Sequence, residues 1–343
     1  MKKIKNTLYI FTEDAYLSLE NENVVIKSDG KEMGRVPLLT LESISSFSYA
    51  GASPALMGAC CERGIRLSFF TPKGKFLTDC RGCNNGNIFL KKAHFKASES
   101  EKEAIKIARH FILGKVFNSR TVLERAIRDH RMRIDVGAMQ TVAQHLTDVI
   151  VAIKECETLD SLRGIEGDAA ASYFSVFDNM ILRNKEDFHF SGRSRRPPMD
   201  RTNAMLSLFY TTLTLDCSSA LLGVGLDPSA GLMHADRPGR DSLSLDLMEE
   251  LRPVFVDRFV ITAINNRMVQ KDDFEERETG EFRLSDAARK TLYQAWQEKK
   301  QETVIHPFTK EKVPRGLIPH IQAQMLAKCL RGDLDAYPPF LWK

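Results

Sequence analysis

The chain lacks a long apolar run. Its longest uncharged stretch, Ser43–Cys61, holds five serines and Pro54, so no membrane span is expected. The apolar run Leu8–Phe11 is cut short by Glu13 and Asp14, too soon for the core of a secretory signal. Cysteine is sparse and odd in number: seven residues, scattered without a framework. That excludes a disulfide-stapled miniprotein and suits reduced thiols in a cytoplasm. Neither charge sign is in large excess. With 49 Lys and Arg against 45 Asp and Glu, the net charge is +4, compatible with a polyanionic partner but not a demand for one. Internal repeats and low-complexity tracts are missing too. The 43% hydrophobic and 27% charged residues describe an ordinary globular protein, and 343 residues suggest about two domains.

The first part of the chain reads as strands. Short segments rich in Val, Ile, Tyr and Phe are expected at Thr7–Phe11, Ala15–Leu19, Val24–Lys27, Ile44–Tyr49, Ile65–Phe70, Lys75–Thr78 and Asn87–His94, with turn residues between them. One helix interrupts them at Ser53–Arg63, with Ser53 as N-cap, Pro54 at the first helical position and Gly64 as its stop. From Ser98 onward the apolar spacing becomes three and four. Helices are expected at Ser98–Arg131, opened by a Ser98/Glu101 capping box, and at Asp135–Cys156, Ser161–Leu182, Arg201–Leu222, Ser242–Val269, Ser285–Lys300 and Leu317–Leu330. The fold class is therefore α+β: a mainly antiparallel β domain over residues 1–95, then a mainly α-helical domain over 96–343.

Two loops break the helical part. One contains SGRSRRPP, where Arg193, Arg195 and Arg196 crowd together; three arginines so close repel one another unless an anion is present, which points to phosphate contact. The long helix adds Lys102, Lys106, Arg109, Lys115, Arg120, Arg125, Arg128, Arg131 and Arg133, read either as a solvated face or as part of the same footprint. The other loop, Gly223–Asp241, is glycine-rich and carries His234.

Glu166 falls on the apolar stripe Leu162, Ala169, Ala170, Tyr173 and Phe177. A carboxylate on a buried face must be ion-paired or bind a ligand, and both readings stand at this point. Gly164 and Gly167 beside it favour close approach by something else. His234 is followed by Asp246 and Glu249, three residues apart and so on one helical face. One imidazole and two carboxylates from separate segments would suit Mg²⁺ or Mn²⁺, a hard ion that polarises a phosphoryl oxygen. Cys80 and Cys83 form half of a zinc site, with His94 the nearest imidazole.

Five motifs in order, NTLYIFTEDAYLSLENENVVI, YAGASPALMGACCERGIRLSFFTPKGKF, LRGIEGDAAASYF, RPPMDRTNAMLSLFYTTL and GLDPSAGLMHADRPGRDSLSLDLMEELRP, resemble the CRISPR-associated integrase family Cas1, and its I-C subtype in particular. The resemblance covers essentially the whole chain. It implies a metal-dependent DNA endonuclease and integrase that inserts new spacer DNA into a CRISPR array during antiviral defence. A 3′-hydroxyl attacks a phosphodiester, and no covalent protein intermediate is needed. It further implies Glu166, His234 and Glu249 as catalytic metal ligands for Mg²⁺ or Mn²⁺. Asp246 would support them, and Tyr210 and Asn203 would lie near the reacting DNA. The implied partners are double-stranded DNA (prespacer and repeat), a second copy through the β domain, and the small protein Cas2. The alternative is a non-catalytic DNA-binding subunit of the same fold.

Overall fold

The computed structural model describes residues 6–12, 14–71, 76–80, 88–194 and 197–342. The chain divides into two compact units. The first is Met1–Gly86 with Arg289–Thr303 and Pro314–Leu317; the second is Asn87–Ala288 with Val304–Val313 and Ile318–Lys343.

Seven strands build the first unit: β1 (Asn6–Ile10), β2 (Tyr16–Glu20), β3 (Asn23–Ser28), β4 (Lys31–Pro37), β5 (Leu41–Ser46), β6 (Arg66–Phe70) and β7 (Phe76–Cys80). One sheet is the antiparallel meander β2-β3-β4. The other has the order β1-β5-β6-β7, with β1 and β6 parallel to β5 and β7 antiparallel to β6. Antiparallel pairs therefore predominate, and the two parallel pairs at β5 were not legible in the strand pattern. Left-handed Asn21 and Glu22, then Asp29 and Gly30, make the meander's tight turns. Strand β4 has no counterpart among the expected strands. Lys31, Glu32 and Arg35 leave it without apolar alternation, and Val25↔Arg35 register pairing holds it in place.

Helix α1 (Pro54–Glu62) forms as its sequence demands. Ser53 Oγ accepts the Leu56 N–H at 3.2 Å, Pro54 starts the helix, and Gly64 follows it in the left-handed region. Leu17, Val24, Leu38, Ile44, Leu56 and Leu67 are fully buried between these elements. The returning segment Arg289–Thr303 joins them because Tyr293 stacks on Tyr9 and Phe11, with ring centroids 4.6 and 5.6 Å apart.

The second unit is helical: α2 (Ile88–Glu99), α3 (Glu101–His130), α4 (Val136–Glu155), α5 (Leu159–Ser175), α6 (Arg201–Val224), α7 (Ser242–Glu249) and α8 (Arg258–Asn265). It also holds the hairpin β8 (Phe274–Glu276) and β9 (Phe282–Leu284), the start of α9 (Asp286–Gln301), and α10 (Ile318–Arg331). The α+β order of the sequence reading is what the structure has. Three details differ. The strand expected at Asn87–His94 is part of α2: Leu90, His94 and Ala97 are the buried residues, and a spacing of four and three is helical. The Ser98/Glu101 capping box does not form. Ser98 lies inside α2, with its Oγ on the Phe95 carbonyl, and Glu101 instead accepts the Leu159 N–H at the first residue of α5. The helix expected over Ser242–Val269 is broken. Pro253 has no N–H for the turn before it, and the chain passes through a wide π turn, Pro253–Asp257, before resuming as α8.

Helix α6 is long and apolar enough to cross a membrane by length and composition, contrary to the expectation from uncharged runs. However, 56% of its most apolar stretch is buried in the fold, as in a core helix. The six described cysteines are free thiols; Cys83 lies outside the described residues.

Candidate functional site

The site is built on α3, α5, α7 and the glycine-rich loop before α7, all within the second unit. Thr158 caps α5 by accepting the Ser161 N–H, and Leu162, Ala169 and Tyr173 turn one face of the helix inward. Glu166 projects from that face with its side chain 22% exposed. The neighbouring Gly164 and Gly167 face open space: a Cβ at either would meet nothing within 4 Å.

Lys115 of α3 faces it. The sequence pattern groups this lysine with the basic surface residues of the long helix; the structure buries it. It lies four residues after the fully buried Phe111, on the same inward stripe. Its ammonium is hydrogen-bonded to Glu166 Oε1 and lies 2.7 Å from Glu249 Oε2. One lysine thus draws carboxylates from α5 and α7 to one point. Glu249 Oε1 accepts from Arg252 at 2.8 Å. Burial alone would raise the Glu249 pKa, but the charges of Arg252 and Lys115 outweigh it and hold the carboxyl well below the usual range.

His234 is placed by Asp246. The Asp246 carboxylate is fully buried and accepts four donors: the N–H groups of Leu232 (2.6 Å), Met233 (3.0 Å) and His234 (3.0 Å), and His234 Nδ1 at 2.6 Å. The loop is wrapped around this carboxylate, and only glycine fits at 231, where a Cβ would meet the His234 carbonyl oxygen at 2.3 Å. With Nδ1–H given to Asp246, Nε2 carries the lone pair. Arg163, one turn before Glu166, donates to the Met233 carbonyl at 2.7 Å and ties α5 to the loop.

The three expected ligands therefore belong to one connected cluster. Glu166 and Glu249 meet at Lys115, Glu249 follows Asp246 on α7, and Asp246 holds His234. As they stand, no three His, Cys, Asp or Glu side chains among the described residues are grouped tightly enough to hold an ion. The donor set nevertheless suits a hard divalent cation. It offers two carboxylates already sharing a cationic group, an imidazole Nε2, and a Glu249 Oε2 whose only partner among the described residues is the ammonium.

The candidates expected near the DNA, Tyr210 and Asn203, are both buried on α6. Tyr210 is buried beside Glu249's partner: the Arg252 guanidinium lies 4.2 Å from its ring centroid, and its hydroxyl donates to Asp257. Burial raises Asp257 to about 6, against the lowering effect of Tyr210 and Arg252. Asn203 is fully buried in α6. Its amide donates to the Gly192 carbonyl and to Asp200, and its oxygen accepts from Arg193 at 2.6 Å and from the Ser194 N–H. It ties Gly192, Arg193 and Ser194 to the start of α6. Arg193 is half-buried in the same network, also bonded to Ser207. Arg195 and Arg196 lie outside the described residues. On α3 and the turn after it, Lys102, Lys106, Arg128, Arg131 and Arg133 are exposed. The zinc alternative is not assembled: Cys83 is outside the described residues, and buried His94 bonds the Ala230 carbonyl through Nε2 at 2.9 Å.

Sequence reasoning missed Lys115, Arg252 and Glu250. The signal for Lys115 was present, since it breaks the α3 stripe as Glu166 breaks the α5 stripe, with opposite charge. Glu250 is fully buried; Tyr337, Gln322 and the Phe340 N–H all donate to it, while Asn118 holds Phe340 and Trp342. The C-terminal residues are thereby docked behind α7.

The family described as CRISPR associated protein Cas1 matches residues 8–298. A CRISPR-associated endonuclease Cas1 from Rhodospirillum rubrum is 48% identical over the whole of both chains, and one from Chlorobaculum tepidum is 44% identical, again over all of both. Among solved structures, a casposase bound to integration product superposes with a TM-score of 0.82 at 22% identity, covering 98% of this chain and 93% of its own. A chain of a Cas6-RT-Cas1–Cas2 complex gives 0.81 at 23% identity, covering all of this chain and 36% of its own. At these identities the structural likenesses establish the fold.

Proposed function

The chain belongs to the Cas1 family and is a CRISPR-associated endonuclease of the spacer-integrating kind, and we propose that its chemistry runs at the Glu166–His234–Glu249 cluster with Mg²⁺ or Mn²⁺. The observation that carries this reading is the pairing of Glu166 and Glu249, from two helices, on one cationic group.

A divalent ion held there would polarise a phosphoryl oxygen and neutralise charge on the leaving oxygen. The chain's own residues do the rest. Glu166 and Glu249 supply hard oxygen ligands, and His234 supplies Nε2. Asp246 fixes the imidazole's tautomer and direction, and with four donors on it, it serves His234 better than it could serve an ion directly. Arg252 keeps Glu249 ionised and aimed. The open face beside Gly164 and Gly167 leaves room for a nucleic-acid backbone. In joining, a DNA 3′-oxygen forms a bond to phosphorus, the bond to the departing 3′-oxygen breaks, and that oxygen takes up a proton. With water as nucleophile the same site cuts. No protein nucleophile is required.

We further propose double-stranded DNA contacts through the exposed basic residues of α3 and the arginine loop, a homodimer formed by the β domain, Cas2 as partner, subtype I-C, and a cytoplasmic location. The Cas2-containing complex whose chain shares this fold supports the partner.

The test uses E166A and H234A in a strand-joining assay with Mg²⁺ or Mn²⁺. Joining should fall by roughly 10²-fold or more in each variant, while each still unfolds in a single cooperative transition. Wild-type joining by both variants would end the reading.

A further inference from the structure

We propose that Lys115 is the resident counter-ion of the carboxylate pair: a cation built into the chain that holds Glu166 and Glu249 together and must yield its place before a divalent ion can bind. This rests on the metal reading above and adds a residue to it.

Two carboxylates brought from separate helices into a largely buried space repel each other unless a cation lies between them. In this structure the cation is the Lys115 ammonium, and its side chain is 10% exposed, against 22% for Glu166 and 5% for Glu249. The two cations on Glu249 are not equivalent. Arg252 is three residues further along the chain from Glu249, and its planar guanidinium is also stacked on Tyr210, so it is fixed on two sides. Lys115 reaches in from α3 on a flexible four-carbon stem, and the two carboxylates are its only partners among the described residues. Its backbone is closely packed: at Gly114 a Cβ would meet the Glu250 Cβ at 2.7 Å, so the side chain is the part free to swing. Lys115 therefore sets the ion affinity of the site as a positioning residue, by stabilising the ion-free arrangement.

The experiment measures Mn²⁺ binding to the full chain, without DNA, by calorimetry and by loss of the free-ion electron paramagnetic signal. K115M removes the charge and keeps the length; E166Q removes a ligand. The expected result is Mn²⁺ affinity on the order of tenfold or more tighter in K115M than in wild type, with a lower melting temperature that saturating Mn²⁺ restores. K115R, whose charge stays and whose fork grips carboxylates more firmly, binds Mn²⁺ about threefold or more weaker than wild type, and this decides the matter if K115M does not fold without the ion. Wild-type binding that E166Q abolishes, with K115M no tighter and K115R no weaker, overturns the role of Lys115. Absence of Mn²⁺ uptake by wild type and variants alike overturns the metal reading instead.

Discussion

Replacing Asp246 by Asn should uncouple His234 from the rest of the site. The carboxylate is fully buried, with two donors on each oxygen: Leu232 and Met233 N–H on Oδ2, and His234 N–H and Nδ1 on Oδ1. Asparagine keeps one acceptor oxygen and replaces the other by an NH₂ group. Whichever way the amide turns, two donors face another donor. A hydrogen bond to a charged acceptor contributes about 1.5–3 kcal/mol, and a buried donor left unsatisfied adds its own cost. Two such losses, partly relieved by relaxation of the loop, give a destabilisation of about 3 kcal/mol. The local consequence is as important as the global one. Without a negative acceptor the Nδ1–H tautomer loses its support, and the loop that aims Nε2 opens. The assay is urea denaturation of wild type and D246N, with nitrogen chemical shifts of the His234 ring measured alongside. Nuclease activity should fall by about two orders of magnitude or more. A stability change below about 1 kcal/mol with an unchanged tautomer would refute the reasoning.

Asp257 predicts a pH dependence of stability. Its carboxyl sits at about 6 in the folded chain, against an ordinary 3.8, so the folded state keeps a proton that the unfolded chain sheds between about pH 4 and 6. Stability should fall as pH rises through that window, by on the order of 3 kcal/mol from this group, and D257N should flatten the decline; parallel slopes for both proteins would refute it. Asn118→Ala removes Nδ2 bonds to the Glu250 and Phe340 carbonyls and the Oδ1 acceptor of the Trp342 N–H. It should cost about 2–4 kcal/mol and shift tryptophan emission to the red as Trp342 leaves Arg125 and Arg258; less than about 0.5 kcal/mol would show the tail to be loosely held. DNA binding should weaken steeply with salt. Charge reversal at Lys102, Arg128 and Arg131 should reduce the slope of log affinity against log salt by about 1 for each phosphate no longer neutralised. An unchanged slope would remove α3 from the DNA footprint.

The sequence disclosed the α+β order and the helix α1 with both its ends, because capping residues, proline and glycine act locally. A charge on an apolar stripe and acids at helical spacing are local patterns too, and they singled out Glu166 and the Asp246 and Glu249 pair, which the structure links to one cluster with His234. What stayed hidden depends on distant partners. Strand β4 is polar and exists through its pairing with β3. The run beginning at Ile88 satisfied a strand by composition, and its helical face showed only once its buried residues were known. Lys115 reads as one basic residue among many until α5 and α7 bring carboxylates to it. Arg193 reads as a phosphate contact and Asn203, by resemblance, as a neighbour of the DNA, yet both close a part-buried network whose donors and acceptors come from Gly192, Ser194, Asp200 and Ser207.

The most direct measurement is a crystal structure of the protein grown with Mn²⁺, with data collected at the manganese absorption edge. A single anomalous peak bonded to Glu166, Glu249 and His234 Nε2, with the Lys115 ammonium displaced from both carboxylates, is the predicted result. A peak elsewhere, with Lys115 still bridging the two glutamates in ion-saturated protein, would contradict the account.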